Sequence, residues 1–321
     1  MAAVTAAMIK TLRDATGAGM SACKNALVEA DGDFDRAVDI LREKGLAAAA
    51  KKAGRIASEG IVWAYITPDN SIGALVEVNS ETDFVAKNQD FRNFVNSIVT
   101  QIVSSKAADV QSYLNEKWIE DEAVTVNDAL VQKISTIGER LEIRRFERFE
   151  KKDSGALVNY IHGGGKVAVL IELGSDIVND QLIEAGKNVC MQIAAMSPKF
   201  IDRIDISDEF MQKEKNILTQ RANLEEQEKA SENPKYKIKP DQILQKIIAG
   251  RLDKQLKEMC LTEQEYVKDS ELTVDQYLKS VGKDIGSDIT VKRFARYETG
   301  EGLAKKEENF AEEVSKAMGQ A

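Results

Sequence analysis

Apolar positions with helical spacing dominate the first 45 residues. The clearest stretch has its apolar residues at i, i+3, i+4 and i+7: Phe34, Ala37, Val38 and Leu41. A candidate N-cap at Asp33 precedes this stretch and Gly45 follows it, which predicts a helix between them. Two shorter helices are predicted ahead of it, separated by the turn "TGAG" at 16–19. We therefore expect a three-helix module that, with a connector rich in Ala and Lys, occupies residues 1–55.

An internal repeat follows and is the most informative pattern in the chain. The segment "GIVWAYITPDNSIGALVEV" from Gly60 aligns without gaps with "GALVNYIHGGGKVAVLIEL" from Gly155, so that Glu77 is equivalent to Glu172. In each copy, one β-rich run precedes a turn and another follows it. The turn is Pro-Asp-Asn in the first copy and Gly-Gly-Gly in the second. The repeat predicts two β-hairpins of the same design.

A helical pattern follows each predicted hairpin. After the first hairpin, one apolar stripe has helical spacing: Phe91, Phe94, Val95, Ile98, Val99 and Ile102. After the second hairpin, a less regular stripe ends ahead of Pro198: Leu182, Val189, Ile193 and Met196. Such stripes are typical of the buried face of an amphipathic helix, and proline ends a helix. We expect both faces to be buried.

A second pair of similar segments completes the two copies. The segments that begin at Thr125 and Thr273 both contain Thr-Val, then Ile-Gly, then a basic-Arg-Phe-x-Arg run in identical register. Each is expected to form a helix that leads into a strand beside its hairpin. The predicted fold is therefore α+β, with antiparallel sheets in a duplicated core at 56–153 and at 154–208 plus 269–300.

Two further helical regions complete the prediction. The interval 209–268 is highly charged, and its second helix has one apolar face: Ile243, Leu244, Ile247, Ile248, Leu252, Leu256 and Met259. Because "ENPKYKIKPD" separates two helical patterns, we expect a projecting antiparallel helical hairpin here. The last segment, 301–321, is predicted to be a C-terminal helix with a narrow apolar stripe that includes Phe310.

Charge and composition narrow the class of function. The formal net charge of -9 and the pI near 5.1 oppose direct binding of nucleic acid, because neutralising phosphates requires a basic face. No apolar run of about 18 residues is present, so no membrane span is expected. Three widely separated cysteines and an N-terminus without a signal-peptide pattern predict a reduced, cytoplasmic protein. These features favour a protein partner.

Motifs for catalysis or cofactor binding are weak. His162, the only histidine, stands beside "GGGK", but Val167 occupies the place where a phosphate-binding Walker motif requires Ser or Thr. The three cysteines are too dispersed for a zinc site or a Cys-His nucleophilic pair. We predict a binding protein that is no enzyme and needs no cofactor or metal. A hydrolase or transferase that uses His162 is the competing hypothesis.

The stretch "EVNSETDFVAKNQDF" from Glu77 to Phe91 places an aromatic ring in a polar run. Two interpretations are open on the pattern alone. In the first, Asp83 is an ordinary helix N-cap, and Phe84 belongs to the buried stripe because it lies seven residues before Phe91. In the second, Phe84 is exposed and available to a partner. Periodicity by itself favours the first interpretation.

Several motifs together resemble those of the bacterial elongation factor Ts family. They are "LRDATGAGMSACKNAL", "ETDFVAKN", "RRF", "YIHGGGKVAVLIEL" and "FARYETGEGL", and the resemblance covers nearly the whole chain. It implies a guanine-nucleotide exchange factor for the GTPase elongation factor Tu, with an N-terminal module similar to ubiquitin-associated domains. Some relatives form a homodimer through the helical hairpin, which the sequence leaves open here.

The same resemblance implies which residues meet the partner. Asp83 and Phe84, flanked by Thr82 and Val85, would enter the GTPase domain beside its nucleotide and displace side chains that support Mg²⁺ and phosphate binding. Further contacts are implied on the N-terminal module, the helix-to-strand corner, the second hairpin and the C-terminal helix: Arg13, Met20, Lys24, Ile137, Gly138, His162 and Phe310. Each also has an ordinary structural explanation. An adaptor that binds peptides or ubiquitin-like folds through the N-terminal module is the alternative function.

Overall fold

The computed structural model of the chain describes residues 4–233 and 235–304. The chain divides into two compact units. The first unit comprises Met1–Glu150, Ile161–Ala168 and Tyr297–Ala321, and the second comprises Lys151–Tyr160 and Val169–Arg296. Helices and small sheets are mixed in the structure, which confirms the predicted α+β class. The finer six-part division of the chain stays a prediction.

Three helices form the N-terminal module, as predicted. They are α1 (Ala6–Thr16), α2 (Met20–Glu29) and α3 (Phe34–Lys52). Their buried apolar residues make one small core: Leu12, Cys23, Ala26, Leu27, Ala30 and Ala37. The predicted end of α3 at Gly45 is wrong, because Gly45 is buried inside the helix, where a Cβ would lie 3.6 Å from Val131. The alanine-rich run that follows continues the helix, since alanine has the highest helix propensity.

A three-stranded antiparallel sheet with the order β1-β2-β5 organises the rest of the first unit. The elements are β1 (Glu59–Ile66), β2 (Ile72–Ser80), α4 (Asp83–Lys87), α5 (Gln89–Ser104), α6 (Val110–Leu114), β3 (Lys117–Trp118), β4 (Asp121–Thr125), α7 (Val126–Ile137) and β5 (Leu141–Glu150). The ladder between β2 and β5 ends with the pair Ser80 and Leu141. The predicted first hairpin is confirmed.

Helix α5 packs against this sheet and supplies much of the core. All six residues of the predicted stripe are at most 5% exposed: Phe91, Phe94, Val95, Ile98, Val99 and Ile102. They pack with the inward side chains of β2 and β5, such as Val76, Val78 and Ile143. The helix therefore presents its apolar face to the sheet, as its spacing predicts.

The second unit repeats this design. The elements from the second hairpin onward are β6 (Gly155–His162), β7 (Val167–Gly174), α8 (Asp180–Met196), α9 (Asp208–Glu232), α10 (Asp241–Met259), β8 (Glu265–Tyr266), β9 (Asp269–Thr273), α11 (Val274–Ile285) and β10 (Thr290–Glu298), and only the ends of β6 and β10 and the start of β7 belong to the first unit. The sheet order β10-β7-β6 places a returning strand beside a hairpin, as in the first unit. On α8, Leu182, Val189 and Ile193 are buried, but Met196 is 47% exposed at the end of the helix, so its predicted burial is wrong.

One glycine in each copy shows how closely the two hairpins correspond. Gly60 has φ +125° and Gly155 has φ +139°, conformations that side chains rarely adopt. A Cβ would lie 2.2 Å from the Val78 carbonyl oxygen in the first copy and 1.9 Å from that of Leu173 in the second. Both positions therefore require glycine for the same reason, in support of the predicted duplication.

Helices α9 and α10 form the predicted hairpin. They run antiparallel, because Glu225 contacts Arg251 while the earlier Glu214 contacts the later Gln255. A small apolar cluster joins the two helices: Leu218, Ala222, Ile248 and Leu252. The buried face of α10 is narrower than predicted, since Ile243 is 47% exposed.

Phe310 and the predicted C-terminal helix lie outside the described residues. Within residues 4–233 and 235–304, no helix combines the length and the apolar character that crossing a membrane would require. The last described residues, Tyr297 to Ala304, belong to the first unit.

Candidate protein-binding site

Phe84 is exposed, which settles the choice between the two interpretations of its position. Its side chain is 80% exposed, whereas Phe91, seven residues later, is completely buried. The helical phase does not continue from one to the other because Asn88, with φ -70° and ψ 131°, breaks the chain into α4 and α5. Val85 and Ala86 are the residues of α4 that enter the core. The periodicity-based assignment of Phe84 to the core is therefore wrong.

The N-cap of α4 is Thr82 rather than Asp83. The Thr82 hydroxyl accepts a hydrogen bond from the Val85 backbone N–H at 3.5 Å. Asp83 is the first helical residue, and its carboxylate accepts a hydrogen bond from Lys87 at 2.6 Å. This hydrogen bond is the main reason that the pKa of Asp83 lies below its ordinary value. An ionised carboxylate therefore stands beside the exposed ring at neutral pH.

The helix-to-strand corner after α7 is joined to the turn that carries Phe84. Helix α7 ends at Gly138, whose φ of +86° closes the helix with a hydrogen bond from its N–H to the Ile134 carbonyl. The next residue, Glu139, accepts hydrogen bonds from the Thr82 N–H at 3.0 Å and from the Thr82 hydroxyl at 2.7 Å. Ile137 and Gly138 are thus fixed next to the α4 turn.

The tip of the second hairpin is also linked by hydrogen bonds to the elements around Phe84. His162 is exposed, and its backbone carbonyl accepts a hydrogen bond from the Gly165 N–H. The Gly165 carbonyl in turn accepts from the Val62 N–H of β1 at 2.8 Å. Arg92 donates to the Gly164 carbonyl at 2.8 Å and to the Ala86 carbonyl at 3.1 Å, so one guanidinium links the tip to the end of α4.

The predicted contacts of the N-terminal module lie on other elements. Arg13 is exposed in the last turn of α1, and Met20 and Lys24 are exposed one turn apart on α2. The module is held to α7 by an ion pair between Arg42 and Asp128 at 2.7 Å. Its three candidate residues are therefore presented by the N-terminal helices rather than by the group around Phe84.

Comparison with known proteins decides the family. The family model described as "Elongation factor TS" matches residues 81–301. The chain is 48% identical over 317 residues to elongation factor Ts of Clostridium novyi (strain NT), a match that covers 99% of both chains. It is 46% identical over 318 residues to elongation factor Ts of Clostridioides difficile (strain 630), covering 99% of this chain and all of the relative. This chain belongs to the elongation factor Ts family.

Membership of the elongation factor Ts family confirms the resemblance inferred from the motifs. It assigns the chain to protein biosynthesis, as a translation elongation factor of the guanine-nucleotide exchange class. Such factors are not enzymes in the usual sense. The family therefore gives no support to the hypothesis of a hydrolase or transferase centred on His162.

The described residues offer little for catalysis or metal binding. Within this part of the chain, no group of three or more His, Cys, Asp or Glu side chains is arranged to hold a metal ion. The three free thiols are buried. Burial raises the pKa of Cys260 to about 11, and it raises that of Cys190 as well. Thiols with such pKa values carry almost no thiolate at neutral pH, so they are poor nucleophiles.

A buried carboxylate near this site was missed by sequence reasoning. Glu77 is completely buried, and it accepts hydrogen bonds from Arg144 at 2.9 Å, Arg145 at 2.6 Å, Asn79 at 3.1 Å and the Gly300 N–H at 2.8 Å. A buried carboxylate is tolerable only with such partners. The signal was available, because each copy of the repeat places a single Glu in an apolar run, "GALVEV" in the first copy and "VAVLIEL" in the second.

Proposed function

We propose that this protein binds the GTPase elongation factor Tu and promotes release of GDP by inserting Phe84, together with Asp83, beside the partner's nucleotide site. The observation that supports this most directly is the 80% exposure of Phe84 on a turn whose neighbours are fixed by hydrogen bonds. A large ring presented in this way is typical of the aromatic residues that dominate binding between proteins.

The free energy available from burying Phe84 favours its insertion beside the partner's nucleotide. Burying one phenylalanine side chain contributes about 1.5 to 3 kcal/mol, and almost all of this contribution is still available because the ring has little contact with its own chain. Preorganisation also helps, since a turn that is already ordered loses little entropy on binding. Free energy gained at the ring can then offset distortion of the partner's phosphate-binding elements.

Asp83 acts electrostatically in this proposal. Its carboxylate is ionised at neutral pH, as an ordinary aspartate is, and the hydrogen bond from Lys87 lowers its pKa further. Inserted next to the site that holds Mg²⁺ and phosphates, a negative charge disfavours the bound nucleotide. Coupling of this kind is reciprocal: a factor that weakens nucleotide binding is itself released when nucleotide binds again. The complex is therefore a reversible intermediate.

The remaining candidate residues have graded roles in this proposal. Ile137, Gly138 and His162 contact the same GTPase, since the structure joins their elements to the α4 turn. Thr82 and Val85 hold the turn, because Thr82 caps α4 and Val85 packs into the first unit's core. A second contact region is assigned to the N-terminal module: Arg13, Met20 and Lys24. The predicted C-terminal segment with Phe310 is assigned to the same partner.

We place this activity in the cytoplasm, with elongation factor Tu as partner and with no nucleic acid or membrane required. A homodimer through α9 and α10 stays a prediction. The adaptor hypothesis is weaker, because relatives named elongation factor Ts match 98 to 99% of the chain rather than the N-terminal module alone.

The test is the rate at which the protein stimulates release of a fluorescent GDP analogue from elongation factor Tu. Phe84→Ala should lower this rate about 10- to 100-fold. The complex would lose the roughly 1.5 to 3 kcal/mol that burial of the ring in the partner contributes, and each 1.4 kcal/mol corresponds to about a factor of ten. Ile204→Ala is the matched control, because Ile204 is an apolar residue that is 93% exposed elsewhere. Undiminished stimulation of GDP release by Phe84→Ala would refute the proposed insertion of Phe84.

A further inference from the structure

We propose that Glu139 is a positioning residue for Phe84 and that Glu81 is its reciprocal counterpart. Together their carboxylates close the open end of the ladder between β2 and β5 and thereby hold the turn that presents the ring. This inference rests on the proposed function. It adds a role for two side chains that need not touch the partner.

The register of the sheet shows what the carboxylates replace. The ladder between β2 and β5 ends at Ser80 and Leu141, so the next pairs in register would be Glu81 with Arg140 and Thr82 with Glu139. The chain instead turns into α4 after β2, and the backbones no longer form ladder hydrogen bonds. Amide groups at this point need new acceptors, because an unpaired backbone N–H away from water is costly.

Each carboxylate supplies an acceptor to the opposite strand. Glu81 accepts a hydrogen bond from the Arg140 N–H at 2.6 Å, and Glu139 accepts one from the Thr82 N–H at 3.0 Å. The two pairs are reciprocal, since each strand provides one carboxylate and one N–H. Arg55 also contacts Glu81 at 3.3 Å, which adds a charge partner from the end of the N-terminal connector.

Glu139 controls the start of α4 through a second hydrogen bond. The Thr82 hydroxyl donates to Glu139 at 2.7 Å while it accepts from the Val85 N–H as the N-cap. This fixes the orientation of the hydroxyl and hence of the cap. Phe84 lies in the first turn of that helix, so the direction of its ring depends on the Glu139 carboxylate.

The second copy of the repeat lacks this carboxylate where it also lacks the ring. Ser287 occupies the position equivalent to Glu139 and accepts a hydrogen bond from the Asp176 N–H at 3.0 Å. The second copy, over the residues that the structure describes, has no counterpart of α4, because the α8 N-cap Asn179 lies four positions after Ser175, whereas the equivalent α5 N-cap Asn88 lies eight positions after Ser80. The longer, charged acceptor thus occurs in the copy whose turn carries an exposed aromatic residue.

The test combines substitutions at Glu139 and Phe84 in the full-length protein. We expect Glu139→Ala to lower stimulated GDP release from elongation factor Tu about 5- to 10-fold, because the cap and the ring lose their fixed direction. Glu139→Gln should restore most of the rate, since its amide oxygen still accepts from the Thr82 N–H. Ser287→Ala is the matched control in the second copy and should leave the rate unchanged.

Two readouts separate positioning from a general structural effect. On the Phe84→Ala background, Glu139→Ala should cause no further loss, because a residue that acts only through the ring has nothing left to position. Hydrogen exchange of the Thr82 and Val85 amides should accelerate in Glu139→Ala, while amides in the core of α5 keep their protection.

The outcomes are distinct. If Phe84→Ala slows GDP release but Glu139→Ala does not, the positioning role is refuted and the proposed function stands. A further loss in the double variant, or unchanged exchange of the Thr82 amide, would also overturn the positioning role. If Phe84→Ala has no effect, the proposed function itself fails, and the positioning role fails with it.

Discussion

Replacing Phe84 with alanine should leave the first unit nearly as stable as before, although the same replacement at Phe91 should be severe. An aromatic side chain has roughly 200 Å² of surface, and 80% exposure leaves about 40 Å² of it buried. At about 25 cal/mol per Å², the loss at Phe84 is at most about 1 kcal/mol. Phe91 is completely buried, and truncating a buried phenylalanine costs about 3 to 5 kcal/mol of unfolding free energy.

Urea unfolding followed by tryptophan fluorescence measures this difference in the relevant unit. Both tryptophans of the chain, Trp63 and Trp118, lie in the first unit, so the signal reports the unit that contains Phe84 and Phe91. We expect the unfolding midpoint of Phe84→Ala to stay close to that of the unsubstituted protein. The midpoint of Phe91→Ala should fall strongly, with a similar dependence of the free energy on urea concentration.

A loss of more than about 2 kcal/mol in Phe84→Ala would refute this reasoning, because it would mean that the ring packs against its own chain. The result also decides how the exchange assay is interpreted. Slow GDP release by a variant of unchanged stability is a defect in action on the partner rather than in folding.

Two further predictions concern buried carboxylates. Glu77→Ala should lower the unfolding free energy of the first unit by about 3 to 5 kcal/mol, measured by the same fluorescence, because Arg144 and Arg145 lose their common partner. In the α9–α10 hairpin, the hydrogen bond from Lys239 is the main cause that lowers the pKa of Glu226 from 4.5 to about 2. The stabilisation that the ionised Glu226 carboxylate gives to the folded hairpin is therefore complete above about pH 4.5 and is lost as the pH falls towards 2. Protection of the Lys239 amide from hydrogen exchange should fall over that pH range. In Glu226→Gln, which has no carboxylate to titrate, the protection should not change with pH in this way.

Much of the fold could be predicted from the sequence because the chain contains two copies of the same structural pattern. The gap-free alignment of the segment that begins at Gly60 with the segment that begins at Gly155 identifies both hairpins. The two glycines themselves occupy the same constrained backbone conformation. The α5 stripe was equally clear, since burial of one helix face leaves a strong period in the sequence. Where local pattern and tertiary packing agree, sequence reasoning succeeds.

The candidate site was harder to predict for a local reason and a distant one. Locally, a single extended residue, Asn88, separates α4 from α5, and the spacing between Phe84 and Phe91 gives no sign of this break. At a distance, the partnership of Thr82 with Glu139 depends on the register between β2 and β5. Register is set by pairing across 57 residues of chain, which periodicity cannot reveal.

The partners of Glu77 also determine when the first unit can be completed during synthesis. The Gly300 amide that donates to this carboxylate lies 223 residues further along the chain. At a synthesis rate of about 5 to 20 residues per second, a ribosome needs about 10 to 45 s to travel that distance. Arg144 and Arg145 are available to Glu77 as soon as β5 has been synthesised. The hydrogen bond from Gly300, in contrast, can form only after the second unit has been translated, so the first unit is completed last.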